Sequence, residues 1–549
     1  MMTMTSEQQP LNITQPSDPS SARSIDDFLE HAYSSTTVRN QWRFYIIFFA
    51  LGLANSGDSA EIGCIGSVMA SSQFQHDILQ GSLDSEADFA RRGAAITGAH
   101  LAGMLISGLL AGVLADVWGR RNTLLLGLAC NSIVGVASAM TRTATELFVL
   151  RIVCGLGLGL IISGVITLCA EIAPPSKRGR FMAIIGSCFT LGYLYISLLA
   201  VFIFQSSGSG SWRLFMFLNA LPSVLALAIA IAHVPESPRF YLSRGMLKQA
   251  AQAANSIACK LGCNHYHYLT EQELRRYLLQ AKADGRTNNL GNESLHDDAH
   301  QSLPREFLAK LMSLHELYQD GLYKVTIPLQ FAYICLTVVT GVSFWWTKIF
   351  QGLHLTVDPF IMNFCNTVAQ VPGIVVATYL IDKLGRRTLV AMGCAIMSAM
   401  LCILSRIAYN RSSEESATNN ETMLILAIAN LNTIGLCLGW LGLDCLSAES
   451  FPTKIRSTGT SICKASGRAF GFLVQFIYGP LINSNRYSYA LGLASSIALV
   501  GILVAYCSTE TLNSTLNDHW EPSTKQDGEK HAKQSRISLV AKKYFAIEV

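Results

Sequence analysis

Gly112-Val-Leu-Ala-Asp-Val-Trp-Gly-Arg-Arg121 lies between two apolar runs, each long enough to cross a membrane. The same pattern returns in the second half as Ile381-Asp-Lys-Leu-Gly-Arg-Arg387, again between two long apolar runs. Glycine lets such a link turn tightly, while Asp and paired Arg carry charges that must stay in water or find partners. A second pair of segments repeats in step with the first. Ala170-Glu-Ile-Ala-Pro-Pro-Ser-Lys-Arg-Gly179 follows the first link by two apolar runs, and Ala448-Glu-Ser-Phe-Pro-Thr-Lys-Ile-Arg-Ser-Thr-Gly459 follows the second by two. Asp116 and Glu171 are 55 positions apart, Asp382 and Glu449 are 67, and the excess falls in one polar loop around Asn410 to Asn420. Two ordered motifs per half mark an internal duplication.

The bulk composition agrees with a chain made for lipid. Of 549 residues, 50% are hydrophobic and only 14% charged, well below the roughly 25% charged usual in soluble domains. The net charge of +4 gives no reason to expect a nucleic-acid partner. Thirteen of the 15 cysteines sit in or beside apolar runs, so no structural disulfide is expected. Cys259, Cys263, His265 and His267 cluster in a polar stretch, but their spacing fits no familiar zinc motif, and no metal site is assigned.

Twelve apolar runs follow in order: 42–70, 93–115, 122–141, 146–170, 181–204, 212–232, 323–350, 359–380, 388–408, 421–446, 458–482 and 487–507. Each meets the ~20 residues needed to cross a hydrocarbon core. The chain therefore divides into a polar tail over 1–41, a six-helix bundle over 42–232, a polar linker over 233–322, a second six-helix bundle over 323–507 and a polar tail over 508–549. Both tails read as mostly disordered, with one acidic patch at Ser24–Glu30 able to form a short helix. The linker holds an amphipathic stretch, Gly245–Leu261. Lys and Arg concentrate in the links after runs 2, 4, 8 and 10, which places those links, and with them both termini, in the cytoplasm. Asn410 and Asn420 are then glycosylation sequons on the outer side.

With these residues in view, the chain resembles the major facilitator superfamily over nearly its whole length. The motif G-x-L-x-D-x-x-G-R-R and its copy carry that resemblance. Arg151-x-x-x-Gly155-x-Gly157-x-Gly159, Glu171-Ile-Ala-Pro and Pro235-Glu-Ser-Pro-Arg239 are similar to the branch of sugar porters and organic-ion carriers. Gly57-Asp-Ser-Ala-Glu61 and Ser466-Gly-Arg-Ala-Phe-Gly471 resemble the synaptic-vesicle-protein-related carriers within it. The resemblance implies an all-α membrane protein of twelve transmembrane helices in two pseudo-symmetric bundles. It also implies a monomeric secondary transporter without a cofactor, taking a small-molecule or ion substrate and protons across a plasma, vesicle or vacuole membrane. The runner-up readings are a transport-inactive, receptor-like protein of the same fold and a proton-coupled sugar carrier. Run 7 has only Gln330 of the Gln and Asn pattern by which sugar porters bind hexose. No motif for enzymatic chemistry appears.

An ionisable group at the centre of a membrane helix costs at least about 2.5–3.5 kcal/mol and needs a partner or a task. Asp58 and Glu61 share one face of the first run, about 24–29 Å from Trp42 at ~1.5 Å per residue. Arg151 lies at a matching depth on the fourth run, which travels the other way. We therefore expect Asp58 to alternate between binding a proton and pairing with Arg151, as the resemblance to proton-driven sugar porters also implies. A static ion pair and direct binding of a cationic substrate are the alternatives. Tyr193, Gln330, Phe344, Asn363, Asn366, Trp440 and Arg468 are the candidates for the central cavity. Lys464 and Arg468 share a helix face, and either can pair with Asp444 or attract an anion. His100 is either a proton relay or a packing residue. A cytoplasmic gate of ion pairs is expected from Asp116, Arg120, Arg121, Glu171, Arg178, Glu236 and Arg239 in one half, and from Asp382, Arg386, Arg387, Glu449 and Arg456 in the other.

Overall fold

The computed structural model describes residues 24–35, 41–80, 86–204, 210–262, 268–283, 315, 317–319, 321–411, 417–451 and 456–511. Sixteen helices carry the architecture: α1 (Ile25–Ser34), α2 (Trp42–Ala70), α3 (Glu86–Trp118), α4 (Arg120–Ser138), α5 (Ala144–Ile172), α6 (Arg178–Phe204), α7 (Trp212–His233), α8 (Pro238–Ser243), α9 (Leu247–Lys260), α10 (Glu271–Ala283), α11 (Tyr323–Gly352), α12 (Pro359–Leu384), α13 (Arg386–Asn410), α14 (Asn419–Ser450), α15 (Arg456–Asn483) and α16 (Tyr487–Cys507). The helices α2–α7 and α11–α16 coincide with the twelve apolar runs, making an all-α membrane protein.

Among the described residues nine of these helices are long and apolar enough to span a bilayer on composition alone. The other three are α2, α4 and α15, which hold Asp58 and Glu61, Arg120 and Arg121, and Lys464 and Arg468. Large apolar side chains such as Phe49, Ile133, Phe202 and Leu503 point outward and exposed, as a lipid-facing surface requires.

Local sequence explains where helices stop. Gly119 (φ 102°) and Gly385 (φ 89°) separate α3 from α4 and α12 from α13. Only glycine takes these dihedrals cheaply, so both copies of the duplicated link use one device. Thr418 and Glu421 form a reciprocal capping box at the start of α14, and Asp358 accepts from the amides of Phe360 and Ile361 to start α12. A short 3-10 segment, Val342–Trp345, interrupts α11 and turns Phe344 out of helical register.

The chain separates into two compact units. One comprises Met1–Tyr45, Ala170–Gly179 and Pro235–His300. In it the acidic patch is the helix α1, whose Ile25, Phe28, Leu29 and Ala32 are buried, and α1 packs against α9. The expected amphipathic stretch of the linker is α9, with Ala250, Ala251, Ala254, Ile257 and Ala258 buried. The other unit comprises Ile46–Cys169, Arg180–Val234 and Gln301–Val549 and holds the membrane-spanning core. Within it α3 packs along α15, α11 along α15, and α13 between α14 and α16.

Candidate functional site: a buried charge cluster on α2

Close backbone approaches bring α2 against α6 and α7. A side chain on Gly192 would strike the carbonyl of Ser56, and one on Gly57 would strike the Ser223 hydroxyl. At this depth Asp58, Glu61 and Arg151 are all buried, at 0%, 3% and 1% exposure. Such groups demand compensation, and the two acids receive it very differently.

Glu61 is fully engaged. Arg151 Nη1 donates to its Oε1 at 2.6 Å, and Asn219 Nδ2 donates to its Oε2. Arg151 Nη2 is packed against Cys64 Sγ and Met216 Sδ, each at 3.2 Å. The Cys154 thiol lies within reach of both Glu61 Oε1 (3.3 Å) and Asn131 Oδ1 (3.2 Å), and Asn131 in turn donates to Ser223 Oγ at 2.9 Å. These contacts knit α2, α4, α5 and α7 together around one ion pair.

Asp58 has none of this. Both of its carboxylate oxygens are buried without a hydrogen-bond partner. Its charged surroundings are Arg468 from α15 and Glu61 on its own helix, with Tyr193 of α6 also within electrostatic reach. Arg468 comes from the second bundle, yet its Nη1 donates to the carbonyl of Met104 on α3 at 2.8 Å. Gly108 makes room, since a Cβ there would lie 2.7 Å from that nitrogen. The expected pairing of Asp58 with Arg151 is therefore replaced by Glu61 with Arg151. The physical reason is that Asn219, on the helix facing Arg151, supplies a second donor where Glu61 sits.

The other cavity candidates divide. Tyr193 packs on Gly63, and Phe344 stands edge-on to His100 at 5.3 Å while its carbonyl meets Gly66. Gln330 donates to Tyr318 (2.9 Å) and Ser466 (3.1 Å), Asn366 accepts from Thr433 (2.8 Å), and Trp440 donates to Thr340 (3.2 Å). Three of these bonds, to Ser466, Thr433 and Thr340, join different helices. Asn363 is half-buried on α12. Lys464, not Arg468, pairs with Asp444, at 3.0 Å, and Tyr333 also donates to Asp444 at 2.8 Å.

The links form two further clusters. Arg120 meets Asp116, and Arg386 meets Asp382, both at 3.5 Å, so the duplicated motif repeats its internal pair. Arg121 donates to the carbonyls of Val234 (2.7 Å) and Ile231 (2.9 Å) at the end of α7. Arg386 also pairs with Glu449 at 3.1 Å, and Arg387 reaches the carbonyl of Ser508 at 3.4 Å. Arg178 and Arg239 both converge on Asp26 of α1, Glu236 accepts from the amide of Ser237, and Glu171 sits on the last turn of α5. The side chain of Arg456, and Cys263, His265 and His267, lie outside the described residues.

Several participants were not singled out by sequence: Asn219, Asn131, Cys154 and Glu510, while Asp26 and Glu30 were noted only as parts of the acidic patch, without partners. Glu510 accepts from the backbone amides of Arg386 (3.0 Å) and Arg387 (3.1 Å), capping α13. An Asn in the middle of an apolar run was the available signal for Asn219, because a lone amide in lipid needs a partner.

The pattern of the Sugar (and other) transporter family matches residues 58–521, most of the chain. The chain belongs to this family. It is 25% identical to a putative transporter, svop-1, of Caenorhabditis elegans, covering 75% of this chain and 74% of that one. It is 26% identical to organic cation/carnitine transporter 4 of Arabidopsis thaliana (76% and 71% covered) and 24% identical to the putative niacin/nicotinamide transporter NiaP of Bacillus subtilis (73% and 82%). Among solved structures, a D-xylose-proton symporter superposes with a TM-score of 0.64 at 19% identity, covering 86% of this chain and all of the other. The partially occluded inward-open form of XylE from E. coli gives 0.63, also at 19% identity, covering 86% and 99%. The fold is that of the major facilitator superfamily, twelve helices in two six-helix bundles. The protein is an integral membrane transporter, and its family consists of carriers of small molecules rather than enzymes.

Proposed function

We propose that this protein is a proton-coupled carrier of a small polar organic solute or ion, with Asp58 as the proton-binding group. The observation behind this reading is the contrast on one helix face between a saturated Glu61 and an Asp58 whose two oxygens have no hydrogen-bond donor. A bare carboxylate buried in this way is costly, so the geometry favours Asp58 carrying a proton. Loss of that proton leaves a charge that Arg468, on the other repeat, compensates electrostatically. Deprotonation then rewards one approach of the two bundles over another, which is how a proton can bias alternating access. The Glu61–Arg151 pair serves as a fixed support for this site.

The gate in this reading is made of the Arg386–Glu449 cluster and the arginines of the first-half links, on the cytoplasmic side, with both termini there too. The carrier works as a monomer. The test is uptake into proteoliposomes across a range of external pH, using substrates drawn from organic cations, organic anions, vitamins and sugars. Asp58→Asn is expected to abolish pH-driven accumulation by 10-fold or more while preserving exchange between labelled and unlabelled substrate. Unchanged pH dependence in this variant removes Asp58 from the proton path.

A further inference from the structure

Away from the transport site, α1 is fastened to two signature segments of the first half. Arg239 Nη2 donates to both carboxylate oxygens of Asp26 at 2.6 Å, and Arg178 Nη2 donates to Oδ1 at 3.2 Å. One turn along, Glu30 accepts from the amide of Ser176 at 3.0 Å and from its hydroxyl. Asp26 and Glu30 are four residues apart and so share one face of α1, while Phe28, Leu29 and Ala32 are buried. Ser24 starts the helix by accepting from the amide of Asp27 at 2.9 Å. The acidic patch is therefore a strap, with its cations supplied by the segments that follow α5 and α7.

The weakest point of the strap is chemically specific. At Asp26 an acid meets two guanidinium groups, whereas at Glu30 an acid meets an uncharged hydroxyl. Ser176 occupies an exposed 3-10 turn, Pro175–Lys177, and is followed by Lys177, Arg178 and Arg180. We infer that Ser176 is a phosphorylation site whose modification releases α1. The basic residues after it suit a kinase that selects basic sequences. In the reaction Ser176 Oγ attacks the γ-phosphorus of ATP, the bond to the bridging β–γ oxygen breaks, and ADP leaves. The hydroxyl proton passes to the kinase's base.

Two effects of the phosphate act in the same direction. It brings about −1.5 to −2 charges to the position where Glu30 now accepts a hydrogen bond, turning attraction into repulsion. It also places strong acceptors two residues from Arg178, which then competes with Asp26 for that guanidinium. The buried apolar face of a ten-residue helix remains, but short helices depend on such contacts to stay formed. The inference rests on the cytoplasmic placement of these segments in the proposed function, since ATP is available there.

Hydrogen–deuterium exchange of residues 24–35, read by mass spectrometry on the full-length protein in detergent micelles, tests the release. Ser176→Glu is expected to raise exchange at least 10-fold over wild type, and Ser176→Ala less than 3-fold, because the Asp26 contacts persist. Adding Glu30→Lys to Ser176→Glu is expected to restore slow exchange by re-creating an opposite-charge pair. Wild-type protein treated with protein kinase C and ATP is expected to carry phosphate at Ser176 and to exchange like Ser176→Glu. Slow exchange in Ser176→Glu, fast exchange that Glu30→Lys does not rescue, or absence of phosphate from Ser176 would each overturn the inference. None of these readouts depends on transport, so failure of the Asp58 assignment leaves them intact.

Discussion

Two neighbouring turns of α2 carry an acid each, and the chain treats them in opposite ways. Glu61 meets an arginine from α5, an asparagine from α7 and a thiol from α5, while the carboxylate of Asp58 meets no hydrogen-bond donor. Burial is the same, and so is the helix face. The difference lies in what the opposite helices offer, and the proposed function takes Glu61 as an acid kept for structure and Asp58 as an acid kept for protons. Perturbing each side in turn shows whether the separation is real.

The largest effect is expected from Arg151→Ala. Removing one partner of a buried ion pair strands the other, which typically costs about 3–5 kcal/mol. Glu61 would keep Asn219 but lose its only counter-charge among these contacts. Unfolding of the purified protein in micelles, followed by heat or denaturant, reads this directly. A loss below about 1 kcal/mol would mean that Glu61 is not held as a charge, and the contrast with Asp58 would dissolve.

Next in size is Asn219→Ala. It removes the donor on Glu61 Oε2 and leaves the ion pair in place, so the expected loss is that of a hydrogen bond to a charged group, about 1.5–3 kcal/mol. Cys154→Ala should cost less, about 1 kcal/mol, since a thiol is a weak donor whose proton serves either Glu61 or Asn131. The ranking Arg151, Asn219, Cys154 is the signature of a support built around Glu61. Equal losses for all three would point to general packing instead.

How much of this could be read from the chain follows from the range of each interaction. The twelve spans were legible because lipid imposes a length and a composition on every one of them, and the duplicated link was legible because a tight turn demands glycine at Gly119 and Gly385. The charged set Asp58, Glu61 and Arg151 was legible because charge in lipid is conspicuous. Its pairing was not. Two acids three residues apart present nearly the same depth to Arg151, and the choice between them is made by Asn219, 158 positions from Glu61. Likewise Asp444 had two cations within reach by spacing, and packing chose Lys464. Arg178 and Arg239 were expected in a gate of ion pairs, and the partner they share, Asp26, was not foreseen because it is supplied by a segment that composition marks as a tail. Long-range side-chain choices of this kind depend on shape that periodicity does not encode.

The smallest stability effect is expected from Asp58→Asn, and it is the most informative. The amide keeps the size and shape of the acid, and no hydrogen bond to the carboxylate is there to be lost. An acid that must be neutral to sit in this pocket, or must bear an uncompensated charge, is itself a burden on the folded state. Replacing it should therefore leave the protein as stable as the parent or slightly more so, measured by the same unfolding experiment as Arg151→Ala. A loss of about 2 kcal/mol or more would show that Asp58 makes a stabilising contact, placing it on the same footing as Glu61. Stability retained together with loss of pH-driven uptake is the outcome that separates the two turns, because only a group selected for its proton is dispensable to the fold and required for the work.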